Sequence, residues 1–477
     1  MRRYVGSGPL TITPAPEREL GGAAETTAWP PDSTPPVLHP SDFDGDRPAD
    51  LTHHAVSVEF GVEFWMKARA RTDTSAAAHH LWRAIMGDFA VNTSTAGGQS
   101  QPCADALFSS ALFTAVWADG GDAGIKGRHV NTTGTPVGPE FVVSDTSPGN
   151  NTNRQRPFVD SIGTDTFTAW IEQPFNLPPP APHVVLRRLA GAQPVGPPVA
   201  VSTDSIDLTC PPTVTRMIDG GCLVTWTGGG EQQRIRAQRF EPGGQKADAE
   251  IAVNTSPAFH TDATVTLLND GDYVVAWTDG EAVGGGGLVY RVFGFDGTAR
   301  TGEIRPNVTG FGRLGRGVLT ALDNGRFVVA HINATILSDL GVLQTTAVAS
   351  VFDPAGDGEV IASAFAGSPK HFHRISPALT ALPGGRFVLG WVEESADTFD
   401  TVPTVMAQLC SDSQLEIGPK VQVSSGTAKD RFGLSAAAVF SSDIPQKVFL
   451  SWTAMTDDGD TSIRGSVLTA DAGGLSG

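Results

Sequence analysis

The sequence is poor in cysteine, tyrosine and long apolar runs. It has 4 cysteines and 3 tyrosines among 477 residues, and no apolar run approaches the length of a membrane-spanning helix. Four cysteines in a chain of this length do not form a disulfide framework. The segment between Cys210 and Cys222 is predicted to be a hairpin that turns at Asp219-Gly220 and places Cys222 opposite Met217. We therefore expect free thiols.

Positive charge is also scarce. The chain has 33 Lys and Arg residues against 51 Asp and Glu residues, a formal net charge of −18. Such a chain repels nucleic acid and anionic membranes, so we predict no nucleic-acid partner and no membrane insertion. The first residues, "MRRYVGSGPLTITPAPEREL", lack the apolar region of a Sec signal peptide. We expect synthesis in the cytoplasm and an extracellular or particle-associated location reached without such a signal.

Common catalytic motifs are missing as well. The sequence has no G-x-S-x-G, H-E-x-x-H or P-loop pattern. Tyr4, Tyr273 and Tyr290 are the only tyrosines that could act as acids, and none of them stands in a loop that joins two repeats. An enzyme that uses arginine, histidine and carboxylates would not be visible by motif.

A repeat is the main feature that is present. Its core is a short β-rich run, a tight turn and a second apolar run that ends in tryptophan or, once, in histidine. These end positions are Trp117, Trp170, Trp226, Trp277, His331, Trp391 and Trp452. Their spacing of 51 to 61 residues is close to the period of a four-stranded propeller blade.

Each repeat is predicted to contain four strands. In the third repeat these are "PTVTRMI", "CLVTWT", "RIRAQRF" and "AEIAVNT". The sequence motif of the fourth strand, "AEIAVNT" in the third repeat, also occurs seven times. Its first copy, near Phe89–Val91, precedes the first repeat. We therefore predict an all-β fold, a seven-bladed β-propeller over residues 88–477 that is closed by an N-terminal strand. The alternative is an open array with a frayed end.

The segment before the propeller has a different composition. Residues 1–52 are Pro-rich and without periodicity, and we predict an arm or linker. Residues 53–87 are predicted to be a docking segment with a strand at 56–64 and a helix at 73–86. One strand and one helix cannot bury a core alone, so we expect residues 1–87 to dock on the propeller or on other chains of an assembly.

The repeat resembles a known family. Units such as "LNDGDYVVAWTDG", "YRVFGFDGT" and "EIAVNTSP" are similar to the tandem repeats of large bacterial secreted calcium-binding and adhesin-like proteins. Those repeats share a G-x-F-V-V-A-W core and an R-F-D-x-x-G turn, and they end in V-N-T. The resemblance covers roughly residues 88–477 and implies a repeat architecture rather than one function.

Basic residues recur in the loops that connect one repeat to the next. In a propeller these loops surround the mouth of the central channel, where clustered cations can bind a carboxylate, sulfate or phosphate group. The set comprises Arg154, Arg156, His260, Arg313, Arg316, Lys370, His371, His373, Arg374, Lys429 and Arg431. The alternative is that these side chains cap strand ends and pair with acidic neighbours.

One acidic stretch has the spacing of a calcium loop. In "DFDGDRPADL", Asp42, Asp44, Asp46 and Asp50 could surround a hard cation, so calcium is the one candidate cofactor. The alternative is an acidic turn in a linker. The pairs His53-His54 and His79-His80 lack a further ligand at zinc spacing.

These observations lead to a functional expectation. We expect a non-catalytic propeller that recognises a glycan or protein surface ligand and is attached through its N-terminal segment to an extracellular particle, such as a phage tail or an injection apparatus. One alternative is a glycan-active lyase or hydrolase with its site at the channel mouth. Another is a structural decoration subunit.

Overall fold

The protein is described here by a computed structural model. It describes residues 87–477 except 123, 146–151, 176–179, 231–232, 258, 281–286, 309–316, 338–341, 367–376, 394–402, 414–415, 427 and 442–443. The chain divides into two units, Met1–Ser75 and Ala76–Gly477. The predicted arm, the strand at 56–64 and the helix at 73–86 lie outside the described residues.

Seven antiparallel sheets form the blades of a ring. The strands of blade 1, β2 to β5, are Gln99–Leu107, Leu112–Asp119, Gly124–Asn131 and Pro136–Val142. Those of blade 2, β6 to β9, are Thr152–Ile162, Asp165–Pro174, His183–Ala190 and Gln193–Ala200. Those of blade 3, β10 to β13, are Thr213–Arg216, Cys222–Thr227, Ile235–Phe240 and Ile251–Ala252. Blade 4 has β14 to β16 at His260–Leu267, Tyr273–Asp279 and Gly287–Phe293, with bridges from Tyr290 to Ile304 and from Phe293 to Ala299 on its outer side.

The remaining blades follow the same order. Blade 5 contains β17 to β20, at Val318–Ala321, Phe327–Leu337, Val342–Phe352 and Val360–Ala366. Blade 6 contains β21 to β24, at Ala378–Leu382, Arg386–Glu393, Thr404–Ser411 and Ile417–Gln422. Blade 7 contains β25 to β28, at Asp430–Ser441, Ile444–Met455, Thr461–Asp471 and Gly474–Ser476. The first strand of each blade lines the central axis, and a short 3-10 helix, Phe108–Ser110, follows the first strand of blade 1.

A two-residue strand, β1 at Phe89–Ala90, belongs to the sheet of blade 7. It pairs antiparallel with β27, with Phe89 opposite Gly465 and Ala90 opposite Arg464. The neighbouring Val91 donates its backbone N–H to the carbonyl of Ile463 at 2.8 Å. Residues near the beginning of the propeller therefore pair with its last blade.

The core lies between the blades. Seven clusters of buried apolar side chains each combine residues of two neighbouring blades, including blades 7 and 1. The repeat tryptophans are part of this core, since all six are at most 3% exposed. Their burial explains why the second strand of nearly every blade contains the largest apolar side chain near its end. The prediction of a seven-bladed β-propeller is thus confirmed for the ring of blades.

The hairpin that contains Cys222 differs from its prediction by one residue. Cys222 pairs with Arg216, not with Met217, because the turn has three residues rather than two and Met217 bonds to Gly221 instead. Gly220 takes a φ of +86°, a conformation that glycine adopts without strain. All four cysteines are buried and none forms a disulfide, as expected. Within the described ranges no helix is long and apolar enough to cross a membrane.

Candidate functional site

The central axis of the ring holds a cavity of about 720 Å³. The first strands of all seven blades line it, so its wall is a repeated structure in which each blade supplies residues at equivalent positions. Two levels matter for chemistry. We call them the mouth level, next to the loops that join the blades, and the inner level, further along each first strand.

The inner level carries two of the acidic residues that line the cavity. Pairing of each first strand with the second strand of its blade places one residue per blade at this level. They are Asp105, Asp160, Thr215, Thr266, Thr320, Thr380 and Ala437 in blades 1 to 7. Two neighbouring blades therefore present carboxyl groups where most of the others present a threonine hydroxyl.

Side chains at this level connect blades 1, 2 and 3 each to the following blade. The backbone N–H of Ser161 donates to Oδ2 of Asp105 at 2.6 Å, and that of Arg216 donates to Oδ2 of Asp160 at 3.1 Å. Thr215 continues the series by accepting a bond from the N–H of Leu267 at 3.3 Å. These bonds fix both carboxyl groups in position, because each one is held by the strand beside it.

The two carboxyl groups influence one another electrostatically. Burial and the nearby charge of Asp160 together raise the pKa of Asp105 to about 8, although the charge of Arg216 opposes the rise. Burial also raises the pKa of Asp160, while the guanidinium of Arg216 opposes that rise, with Nε 4.0 Å from Oδ1. At neutral pH the coupled pair therefore holds a proton.

The mouth level has an unusual backbone. Gln101, Arg156 and Asp262 occupy equivalent bulges in the first strands of blades 1, 2 and 4, and their φ angles are +58°, +56° and +58°. Blade 7 has Gly433 at the equivalent place, with a φ of +64°. Non-glycine residues in this region are strained, and such residues concentrate at functional sites.

Of the basic residues predicted to surround the mouth, Arg156 lines the cavity. Arg154 is buried and pairs with Glu172 at 2.7 Å. Arg431 is buried as well and donates to the carbonyls of Pro403, Ser425 and Gly426. Arg154 thus pairs with an acidic neighbour, as in the alternative that we gave for the basic set, whereas Arg431 bonds to backbone carbonyls.

The other members of the predicted basic set have different surroundings. His260 is fully buried, edge-on to the ring of Trp277, with Nδ1 3.9 Å from a carboxylate oxygen of Asp279. Lys429 is exposed and does not line the cavity. The remaining members lie outside the described residues: Arg313, Arg316, Lys370, His371, His373 and Arg374.

The predicted calcium loop cannot be placed. Asp42, Asp44, Asp46 and Asp50 lie outside the described residues, as do His53-His54 and His79-His80, so calcium there stays a prediction. Within the ranges that the structure describes, no group of three or more His, Cys, Asp or Glu side chains could hold a metal ion.

Asp105 and Asp160 were missed by the sequence analysis. Neither belongs to a motif, and they stand in the first strands rather than in the loops where we searched for charge. The turns before the second strands differ in length, so Asp105 and Asp160 precede their tryptophans by 12 and 10 residues and do not align by position alone. Tyr273 and Tyr290 are fully buried, and burial raises the pKa of each phenol, so neither can serve as an acid in the cavity.

Comparisons with known proteins give fold similarity only. No family model and no curated protein matches the chain. A protein of unknown function from Dyadobacter fermentans matches at 11% identity and a TM-score of 0.45, over 81% of this chain and 98% of its own. An α-L-arabinanase of Penicillium chrysogenum, complexed with arabinobiose, matches at 12% identity and a TM-score of 0.43, over 66% and 92%. An ulvan lyase bound to a GlcA(1-4)Rha3S saccharide matches at 11% identity and a TM-score of 0.45, over 80% and 95%.

Two of these three structures have an activity in their names, and both are glycan-active enzymes. This corrects our expectation of a non-catalytic recognition propeller on an extracellular particle, which we do not retain. At this level of similarity the comparisons identify no substrate. The alternative that we gave from the sequence, a glycan-active lyase or hydrolase, has to be argued from the residues of the cavity.

Proposed function

We propose that the protein is an enzyme that cleaves glycosidic bonds in the central cavity of the propeller. The observation that carries this proposal is the pair Asp105 and Asp160, two carboxyl groups that line one cavity and share a proton at neutral pH. Cleavage of a glycosidic bond needs one group that gives a proton to the leaving oxygen and another that removes a proton elsewhere.

The two aspartates have environments that suit these opposite roles. Burial raises the pKa of Asp105, so its carboxyl group is suited to give a proton to the glycosidic oxygen. Asp160 is next to the guanidinium of Arg216, which favours its ionised form, so it acts as the base. In hydrolysis the base takes its proton from the attacking water, and in elimination it takes the proton from a ring carbon next to the bond that breaks.

The cavity also has the size and the lining that a sugar requires. Its volume of about 720 Å³ lies within the range of small-molecule sites. Threonines of four successive blades, Thr215, Thr266, Thr320 and Thr380, line it at the level of the aspartates. Their hydroxyl groups can donate to and accept from sugar hydroxyls, which an apolar channel could not do.

A digestion experiment tests the proposal. The full-length protein is incubated with a panel of neutral, uronate-containing and sulfated polysaccharides, and new reducing ends and unsaturated products are measured. We expect the wild-type protein to cleave at least one of them, and Asp105→Asn and Asp160→Asn each to lose on the order of 100-fold or more in turnover. Unsaturated products indicate elimination, and reducing ends without them indicate hydrolysis.

Both variants keep an oxygen that can accept the inter-blade bond, so they are expected to fold. Asp296→Asn, which changes an exposed turn outside the cavity, is the matched control and should retain wild-type turnover. The proposal is wrong if no polysaccharide in the panel is cleaved, or if folded Asp105→Asn and Asp160→Asn proteins are as active as the wild type.

We also propose that the ring is closed by the strand Phe89–Ala90 acting as the outer strand of blade 7. Its pairing with β27 supports this, as does the apolar cluster that joins Val91 to residues of blades 7 and 1. The roles of residues 1–87 in docking and in calcium binding stay predictions.

A further inference from the structure

Arg156 has a position that the fold alone does not explain. It lies in the bulge of β6 with a φ of +56°, and its backbone N–H donates to Oε1 of Gln101 in the neighbouring blade at 2.7 Å. Blade 7 forms the equivalent bulge with Gly433, which adopts this conformation without strain. A side chain at this place is therefore not a requirement of the architecture, and it costs backbone energy.

The hydrogen bonding of the Arg156 guanidinium is incomplete, as it also is for Arg188 and Arg431. The Nε of Arg156 is buried and has no hydrogen-bond partner among the described residues. Arg154, two positions earlier in the same strand, is paired with Glu172. A buried donor without an acceptor is unfavourable, and a carboxylate or sulfate oxygen supplied by a ligand would remove that cost.

The surroundings of Arg156 favour a ligand that is both anionic and hydroxylated. The side chain lines the same cavity as the two aspartates, with the amide of Gln101 beside it at the mouth level. Asp262 stands at this level in blade 4 and carries the opposite charge. An anionic group would therefore be drawn toward blade 2, and sugar hydroxyls could donate to Asp262.

We propose that Arg156 binds the carboxylate or sulfate group of an acidic glycan at the mouth of the cavity. This deepens the proposed function, on which the identification of the ligand as a glycan rests. The two anionic groups share the chemistry that a guanidinium recognises, which is a planar pair of donors meeting two acceptor oxygens.

Binding measurements on uncleaved ligand test this inference. In an Asp105→Asn background, full-length protein is titrated by calorimetry with a short oligogalacturonate, a sulfated carrageenan oligosaccharide and a neutral galactan oligosaccharide. We expect Arg156→Gln to weaken binding of the uronate or the sulfated ligand roughly 10- to 100-fold and to leave neutral binding unchanged. The ligand that loses affinity identifies the group that is recognised. Arg300→Gln removes the same charge from an exposed side chain outside the cavity and should change nothing.

A second variant distinguishes recognition from a structural role. Arg156→Gly relieves the backbone strain, so we expect a thermal midpoint equal to or above that of the parent protein together with loss of acidic-ligand binding. A clearly lower midpoint would instead show that the side chain supports the fold, and would overturn the inference.

The two proposals fail in different ways. The inference about Arg156 is overturned if neither acidic ligand binds, or if Arg156→Gln binds both as tightly as its parent. The proposed enzymatic function is overturned if the protein with intact aspartates cleaves no glycan, even where acidic binding depends on Arg156.

Discussion

At the scale of single residues, Asp105 links the stability of the protein to pH. Its pKa is about 8 in the folded protein and lies in the ordinary aspartate range when the chain is unfolded. Between those two values the folded state holds a proton that the unfolded state has released. The contribution of Asp105 is therefore complete at low pH and is lost as the pH rises toward 8, with a slope of at most about 1.4 kcal/mol per pH unit.

Asp105→Asn should remove this dependence. We expect the variant to gain stability relative to the wild type as the pH rises from 5 to about 8, because it has no proton to lose. Chemical denaturation at several pH values in this window measures the difference. Parallel stability curves for the two proteins would contradict the assignment of the raised pKa to Asp105.

Only part of the candidate site could be predicted from the sequence. The position of Arg156 next to a blade-joining loop was sufficient to predict it at the channel mouth. Arg154 was predicted there as well, and residues two apart on a regular strand do share a side. The bulge between Gln155 and Phe158 interrupts this alternation, and Arg154 pairs with Glu172 instead. The pairing of Asp105 with Asp160 depends on contact between strands of different blades, which no local pattern contains.

At the scale of structural elements, the fourth-strand motif of each repeat has a clear physical role. Its valine enters the core between blades, as Val253 does with no exposed surface. The following residue satisfies the N–H that begins the third strand of its own blade: Oδ1 of Asn254 accepts from Ile235 at 2.8 Å. Thr255 then donates to Glu303 of the next blade through its hydroxyl at 2.8 Å. This short motif thus forms hydrogen bonds both within its own blade and with the next blade.

The next blade also donates a hydrogen bond to this motif. Arg291 of blade 4 donates to the carbonyl of Val253 at 3.0 Å, and Arg187 of blade 2 donates to that of Val143 at 2.9 Å. Arg128 does the same to Val91 at 3.0 Å. The motif near Phe89 therefore accepts the same hydrogen bond as the other copies, although it precedes the first repeat in the chain.

Asn254 offers a sharp test of this role. Asn254→Ala leaves the buried N–H of Ile235 without its acceptor, so we expect a loss of about 1–3 kcal/mol in stability. Asn254→Ser should recover most of it, because Ser144, Ser202 and Ser424 serve the same function in other blades. Thermal or denaturant midpoints measure both variants. Equal destabilisation by alanine and serine would contradict the assignment.

The elements themselves were largely predictable, because alternation and tight turns depend on neighbours in the chain. The second strand of blade 3 begins and ends at Cys222 and Thr227, as predicted from "CLVTWT". Its hairpin was predicted one residue too short, since the choice between a two- and a three-residue loop depends on the φ of Gly220. The bulges of the first strands were not predictable either, because they arise where the strands approach the axis.

At the scale of the whole molecule, Asp88 connects distant parts of the ring. Its side chain, 4% exposed, accepts from Nη2 of Arg464 at 2.7 Å and from the hydroxyl of Ser425 at 2.6 Å. It thereby joins the residues before β1 to the third strand of blade 7 and to the segment that follows blade 6. Removal of this carboxylate should weaken the contact between the two ends of the propeller.

Asp88→Ala is expected to lower the stability of the whole propeller by about 1–3 kcal/mol, because several donors lose their acceptor together. Hydrogen exchange should rise first along Thr461–Asp471, the strand that pairs with β1. Asp457→Ala, in an exposed turn of the same blade, is the control. Unchanged exchange along Thr461–Asp471 in Asp88→Ala would contradict the proposed closure.

The pairing of Asp88 with Arg464 also has a consequence for biosynthesis. The two residues are separated by 376 positions. At a translation rate of about 5–20 residues per second, the ribosome makes the second partner roughly 20 to 75 s after the first. Until Ala437 and the residues that follow it have been synthesised, the apolar cluster shared by blades 7 and 1 lacks the side chains of the last blade. The nascent chain must therefore keep that surface, which includes Val91 and Phe113, from aggregating until its final strands have been synthesised.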